Sequence, residues 1–307
     1  MKVHKIVIGS RGSQLALWQA NWVKAELERL HPNVDINIRV ITTSGDKIQD
    51  VPLAKIGGKG LFVKEIEEAL LAKEVDLAVH SMKDVPMELP AELVVSVITK
   101  RESSLDALIS KNGERLVNLP QGATIGTSSL RRSSQLLKYR ADFKIYPLRG
   151  NVDTRLRKVK TGNYDAIILA SAGLNRLGWA SHITEEISEE ILLPAMGQGA
   201  LGIETRLDDT KTYDFISTLN HKQTNYAVTA ERALVGRLDG GCQVPIGAYA
   251  KIENNLISLK GLVASLDGET IYTSENTGPV DDAINIGQEL GSRLLKMGAN
   301  EILEKLI

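Results

Sequence analysis

The chain has 307 residues, of which 43% are hydrophobic and 24% charged, and its formal net charge is −1. Such a composition belongs to a globular protein of two or three domains, and it excludes a disordered chain. The near-zero charge gives no global attraction for nucleic acid, and no apolar run is long enough to span a membrane. Charge is unevenly spread: residues 1–99 sum to −1, residues 100–195 to +5 and residues 196–307 to −5, with nine arginines in the middle third. That suits a pocket collecting carboxylates or phosphates rather than a face for duplex nucleic acid.

Taken in chain order, strand and helix signals alternate from the start. Val3–Gly9 predicts a strand that begins with no signal peptide before it. Gln14–Leu30 predicts a helix with Leu15, Trp18, Trp22, Ala25 and Leu30 on one stripe, ended by His31-Pro32. Val34–Thr43 is a second strand, Leu61–Lys73 a helix, Val75–His80 a third strand and Leu93–Thr99 a fourth. Between them, residues 44–60 carry Gly57, Gly58 and Gly60 with Lys55 and Lys59, a composition typical of a lid or ligand loop. A polar crossing at residues 99–104 precedes a restart of the pattern: Ala123–Gly126 strand, Leu130–Tyr139 helix, Lys144–Leu148 strand, Val152–Lys160 helix, Ala166–Ser171 strand. A second crossing at Leu193–Gly199 leads to a strand at Leu201–Thr205. Tyr226–Leu238 is then a helix, Gly247–Val263 a hairpin turning at Asn254-Asn255, and Asp281–Lys296 a last amphipathic helix.

The alternation predicts an α/β protein. Two lobes of mixed, mostly parallel sheet are expected, residues 1–99 with 200–218 and residues 100–199. A small α+β domain follows at residues 219–307. No histidine spacing suits a metal, so none is expected. Gly197–Gly202 matches G-x-G-x-x-G but precedes a strand instead of following one, which excludes the dinucleotide fingerprint.

Three kinds of segment carry chemistry. Thr127-Ser128-Ser129-Leu130-Arg131-Arg132 is a strand end, a hydroxyl-rich turn and a helix start, where backbone N–H groups and forked guanidinium donors bind anions. Arg149-Gly150-Asn151-Val152-Asp153-Thr154-Arg155 repeats it, and Arg11-Gly12-Ser13 does so in the first lobe. His80-Ser81-Met82-Lys83-Asp84-Val85-Pro86 ends a strand where open sheets place ligands, and Pro86 makes Asp84 a positioned carboxylate. The lone Cys242, in Gly240-Gly241-Cys242-Gln243-Val244-Pro245, can form no intramolecular disulfide. Its Gly-rich turn suits a thiol that carries something. One cysteine also predicts a reducing cytoplasm. Together these residues predict an anionic ligand in a cleft between the lobes. A binding module for an anionic metabolite would need the arginines but neither Asp84 nor a modified thiol. A nucleic-acid binder would need interleaved aromatics, which are only 4% of the chain.

These segments, with Ile8–Ala16, Pro194–Gly199 and Gly240–Cys242, resemble porphobilinogen deaminases, also called hydroxymethylbilane synthases, in the family's order. The resemblance implies two lobes like those of periplasmic binding proteins, and a third domain bearing the cofactor. It implies a transferase that joins four porphobilinogen molecules head to tail into hydroxymethylbilane and releases ammonia. The implied cofactor is a dipyrromethane primer held by a thioether at Cys242. Asp84 matches the catalytic position. Ser81, Lys83, Asp84, Thr127, Ser128, Ser129, Arg131, Arg132 and Gly150 match cofactor-binding positions. Arg11, Ser13, Gln14, Lys55, Lys59, Arg149, Arg155, Arg176 and Gln198 match substrate-binding ones. A cytoplasmic monomer, with porphobilinogen as its partner and neither nucleic acid nor membrane, completes the expectation.

Overall fold

The computed structural model describes residues 4–47, 62–240 and 244–306. The chain forms two compact units, Met1–Arg101 with Ala200–Asn225, and Glu102–Gly199 with Tyr226–Ile307. In chain order the strands are β1 (His4–Ser10), β2 (Val34–Val40), β3 (Leu77–Ser81), β4 (Leu93–Ile98), β5 (Asp106–Ser110), β6 (Thr124–Gly126), β7 (Lys144–Tyr146), β8 (Ala166–Ala170), β9 (Glu185–Ile187), β10 (Leu201–Arg206), β11 (Ile246–Glu253), β12 (Leu256–Ala264) and β13 (Ile271–Pro279).

The first unit holds a sheet in the order β2-β1-β3-β10-β4 and the second a sheet in the order β7-β6-β8-β5-β9. The two orders are equivalent position by position. In each, the central parallel strand (β1 or β6) pairs with two others, and one antiparallel strand (β10 or β5) lies next to the edge. That antiparallel strand is the first one after the chain passes from one unit to the other. Because it runs against its neighbours, its opening residues lie at their carboxyl ends. Leu201 pairs with Ser81, and Asp106 with Ala170. This is the edge where α/β sheets place ligands.

Local sequence explains the elements. The helix Gln14–Leu30 is capped by Ser13, whose hydroxyl accepts from Ala16 N at 3.3 Å. Its Ala20, Val23 and Leu27 are fully buried against Ile6, Ile8, Ile36, Leu77 and Ile203. In the second unit, β5 and β8 are apolar on both faces. Leu108 and Ile168 pack into one cluster and Ala107, Ile109, Ile167 and Leu169 into another, as expected of strands covered on both sides.

The C-terminal sheet, β11-β12-β13, is antiparallel. Asn254 and Asn255 turn its first hairpin with φ of 51° and 59°, the positive values that a two-residue type I′ turn demands. The helix Ala283–Leu294 buries Ile286, Leu290 and Leu294; with the 3-10 turn Val280–Asp282 before it and the helical turn Leu295–Ala299 after it, the helical stretch covers the segment expected from sequence. Strands β5, β9 and β13 were not expected from sequence. β9 is three residues long and opens with two glutamates. In β13 most residues are polar, so the apolar run that marks a strand is missing.

The two crossing segments lie side by side. Glu102 N donates to Gly199 O at 3.1 Å, and Gln198 Nε2 to Ser104 O at 2.6 Å. Gly199 has φ of +88°, and a Cβ there would run into Glu102 O and lie 2.7 Å from Ser103 O. We expect Gly199→Ala to lose about 2 kcal/mol or more of stability, from the left-handed backbone and the clash together. Urea unfolding measures it, and a midpoint equal to the parent's would contradict the tight crossing.

Candidate functional site

In the second unit, Thr124–Gly126 ends and the helix Leu130–Tyr139 begins within four residues. That places Arg131 and Arg132 in the helix's first turn, yet neither points to water. They are 4% and 7% exposed, and both reach Asp106, which is fully buried at the start of β5. Arg132 donates from Nε at 3.0 Å and from Nη2 at 2.7 Å to Asp106 Oδ1. Arg131 Nη2 lies 2.8 Å from Oδ2, paired by charge without a directed hydrogen bond. Arg131 Nη1 donates to Leu193 O at 2.7 Å, and Arg132 Nη1 to Ile168 O at 3.1 Å. Gln198 Nε2 donates to Asp106 Oδ1 at 3.0 Å. The second crossing is thereby tied to the same carboxylate.

Burial alone would push the Asp106 carboxyl up. The charges of Arg131 and Arg132 and the hydrogen bonds from Arg132 outweigh it and hold the group at about 2. Burial likewise pulls Arg131 below its usual range, opposed by Asp106. Two guanidinium groups against one carboxylate leave one positive charge uncompensated in a dry environment. Each guanidinium has five N–H donors, and the contacts above leave some unused on both. Gln198 Oε1 and Ser171 Oγ are buried without hydrogen-bond partners among the described residues. A cluster with excess positive charge, unused guanidinium donors and the free hydroxyl of Ser171 fits a ligand bearing several carboxylates.

The other expected residues of this unit are arranged around the strand ends. Ser129 N donates to Thr127 Oγ1 at 3.2 Å, and Ser128 Oγ donates to Leu148 O and accepts from Leu148 N at 2.9 and 3.0 Å. Ser128 thus clamps two strand-end loops together. Gly150 has φ of +107°, and a Cβ there would lie 2.7 Å from Thr154 Cγ2, so the loop requires glycine. Arg155 Nε donates to Gly150 O at 2.7 Å, and Arg149 is half-buried. Arg176 Nη2 donates to Gly199 O at 2.6 Å. Burial draws its pKa down to about 10 against the opposing charge of Glu102.

In the first unit, Arg11 follows β1 and pairs with Asp46 through Nε, at 3.2 and 3.3 Å, and Nη2. Its guanidinium lies 4.3 Å from the centre of the Phe62 ring. Asp46 also accepts from Thr43 N and Oγ1, and these bonds with those from Arg11 outweigh burial and lower its pKa. Gln14 is exposed at the helix start. Ser81 Oγ accepts from Gln19 Nε2 at 2.9 Å, and Met82 N donates to Ala200 O at 3.0 Å. The short 3-10 turn Met82–Asp84 follows, with Lys83 half-buried and Asp84 exposed. Lys55, Lys59 and Cys242 lie outside the described residues. Among the described residues no cluster of His, Asp or Glu could hold a metal, and no helix is long and apolar enough to cross a membrane.

Sequence reasoning missed Asp106 and Asp46, the carboxylates that hold the expected arginines. Asp106 is the first residue of Asp-Ala-Leu-Ile-Ser, an acid opening an apolar run, and that was the one available signal. Asp46 lies in the short helix Ser44–Lys47, inside a segment read from sequence as a loop, and gave none.

A family model described as porphobilinogen deaminase, dipyromethane cofactor binding domain, matches residues 6–214, and one described as porphobilinogen deaminase, C-terminal domain, matches residues 225–296. A porphobilinogen deaminase from Geobacter metallireducens is 54% identical over 306 residues, covering 100% of this chain and 96% of its own. One from Geobacter sulfurreducens is 53% identical with the same coverage. Among solved structures, a probable amino-acid ABC transporter extracellular-binding protein from Bacillus subtilis is 15% identical with a TM-score of 0.42. It covers 71% of this chain and 90% of its own.

Removing the Asp106 charge would leave two buried guanidinium groups without their counter-ion. We expect Asp106→Asn to cost about 3–5 kcal/mol, read by chemical denaturation at pH 7. The folded pKa is lowered, so the parent's advantage should hold above pH 4 and vanish as pH falls through about 2. A loss within about 0.5 kcal/mol at pH 7 would show that the cluster does not depend on this carboxylate.

Proposed function

The chain belongs to the porphobilinogen deaminase family, and on that premise we propose which of its residues carry the reaction. It is a transferase that joins four porphobilinogen molecules head to tail into the linear tetrapyrrole hydroxymethylbilane, with release of ammonia, on a covalently bound dipyrromethane primer. The observation that carries the assignment of residues is the buried Asp106–Arg131–Arg132 cluster with its surplus positive charge. Each pyrrole brings an acetate and a propionate, so the primer brings four carboxylates.

In this reading Cys242 holds the primer through a thioether. When bound, the primer supplies the pyrrole α-carbon to which each new unit is joined. Arg131, Arg132, Ser129, Thr127, Lys83, Ser81 and the backbone at Gly150 bind its carboxylates, and Ser128 fixes the loop that presents them. Arg11, Ser13, Gln14, Arg149, Arg155, Arg176 and Gln198, with Lys55 and Lys59, bind the carboxylates of substrate and growing chain. Asp106 and Asp46 set the orientation of the arginine forks. Asp84 accepts pyrrole N–H and opposes the positive charge that develops on pyrrole nitrogen as ammonia leaves and as the new carbon–carbon bond forms. Its exposure at a strand end, on a turn held by Met82 N, keeps that charge available to a ligand. Residues 1–99 with 200–218, residues 100–199 and residues 219–307 are the three domains of the proposal, the last bearing Cys242. The protein acts as a monomer in the cytoplasm, on a small molecule and without nucleic acid or membrane.

The test combines product and mass. The purified protein should convert porphobilinogen to hydroxymethylbilane, and its intact mass should exceed the chain mass by two pyrrole units. Cys242→Ser should show the bare mass and no turnover. An active preparation at the bare mass would refute the thioether at Cys242. Asp84→Asn keeps shape and loses charge, so it should fold, retain the adduct and lose on the order of a hundredfold in rate, the effect of about 3 kcal/mol. A single-turnover rate within a few-fold of the parent would remove Asp84 from the catalytic role.

A further inference from the structure

Three titratable side chains are buried together in the first unit, next to the Asp84 turn. Glu204 on β10 is 1% exposed, His80 on β3 is 6% and Glu67, on the helix Lys64–Leu71, is 9%. His80 pairs in register with Gly202, so Glu204 stands diagonally across the strand pair. His80 Nε2 donates to Glu204 Oε2 at 2.9 Å. Two further carboxylate oxygens, Glu67 Oε1 and Glu204 Oε1, are buried without hydrogen-bond partners among the described residues. Such groups are costly to leave unsatisfied, and nothing in the binding of pyrrole carboxylates calls for them.

We propose that Glu204 and His80, with Glu67 behind them, are positioning residues that fix the strand end from which Ser81, Lys83 and Asp84 project. The proposal rests on the reading of Asp84 given above. The geometry is a short path: His80 is the residue before Ser81, and the 3-10 turn begins at Met82. The pair ties β3 to β10 by side chains just before the level where Met82 N bonds Ala200 O.

Charge balance governs the trio. Burial pushes the Glu67 carboxyl up to about 7, the charge of Glu204 adds to this, and His80 opposes it. Glu68, on the same helix, is the remaining charged group bearing on it. Arg206, two residues beyond Glu204, does not neutralise the site. Its guanidinium bonds Leu70 O and Val75 O from Nη1 and Asp209 from Nη2. Below about pH 7 Glu67 therefore holds a proton, and Glu204 keeps His80 to itself. Above it, a second buried negative charge faces Glu204 and competes for the same imidazole. The strand end is then held less firmly.

Two isosteric variants test this in the primer-loaded protein. Glu204→Gln removes the charge from the His80 contact. It should carry the full adduct by intact mass and keep KM for porphobilinogen within about twofold. Its kcat should fall about tenfold or more, as expected when a reacting group is displaced by a fraction of an ångström. In the parent, kcat should fall as pH rises above about 7; Glu67→Gln cannot ionise, so in that variant the fall should be absent or move up by at least one pH unit. If Glu204→Gln does not fold, the pH profile of Glu67→Gln decides alone. A kcat within twofold for Glu204→Gln, or a Glu67→Gln profile that superimposes on the parent's, overturns the proposal. Asp84→Asn measured in the same assay separates the two readings. Near-normal turnover there defeats the role of Asp84, whereas an inactive Asp84→Asn beside normal glutamine variants defeats only the positioning role.

Discussion

A fully buried aspartate between two arginines is the constraint on which the second unit is built. Asp106 opens β5, Arg131 and Arg132 open a helix, and Gln198 brings in the crossing segment. Removing these ions from water costs several kcal/mol for each, and one carboxylate cannot balance two guanidinium groups. Backbone carbonyls at Leu193 and Ile168 absorb part of that cost. A fold selected for stability alone would be as well served by apolar residues of the same volume. The surplus charge makes sense when carboxylates from a ligand complete it.

The two sheets solve the same problem in the same way. Each admits one antiparallel strand next to its edge, and each such strand starts at the carboxyl ends of its parallel neighbours. An acid then holds an arginine near that edge in each unit, Asp46 with Arg11 in the first and Asp106 with Arg132 in the second. The arginines expected to meet anions are thus oriented before any ligand arrives. This lowers the ordering cost of binding. In the first unit the antiparallel strand also delivers Glu204 to His80, beneath the turn that carries Asp84.

Much of this was legible in the sequence. The alternation of strands and helices gave both lobes, because apolar runs such as Ala-Ile-Ile-Leu-Ala in β8 are the mark of covered strands. Helix starts after strands exposed the arginine segments, since Ser and Thr before Arg is a pattern with a physical reason. What sequence could not give was direction. Arg131 and Arg132 look like a basic face in one dimension. In the folded unit they are buried against an aspartate 25 residues earlier in the chain. β5 escaped notice because its acid masked a short apolar run, and β13 because a one-sided strand of polar residues has no apolar run at all. The Glu67–Glu204–His80 trio was likewise invisible: its members are 13 and 124 residues apart and share no motif.

The most direct test of the central claim is the fraction of Arg131→Lys and Arg132→Lys chains that carry the primer, read by intact mass on freshly purified protein. Lysine keeps the charge but replaces a planar fork with a point charge, so it can neither bracket Asp106 nor present paired donors to a ligand carboxylate. Adduct occupancy should fall well below the parent's in both variants while the chains remain folded. Full occupancy in both, with a normal rate of tetrapyrrole formation, would contradict it and reduce the cluster to a structural ion pair.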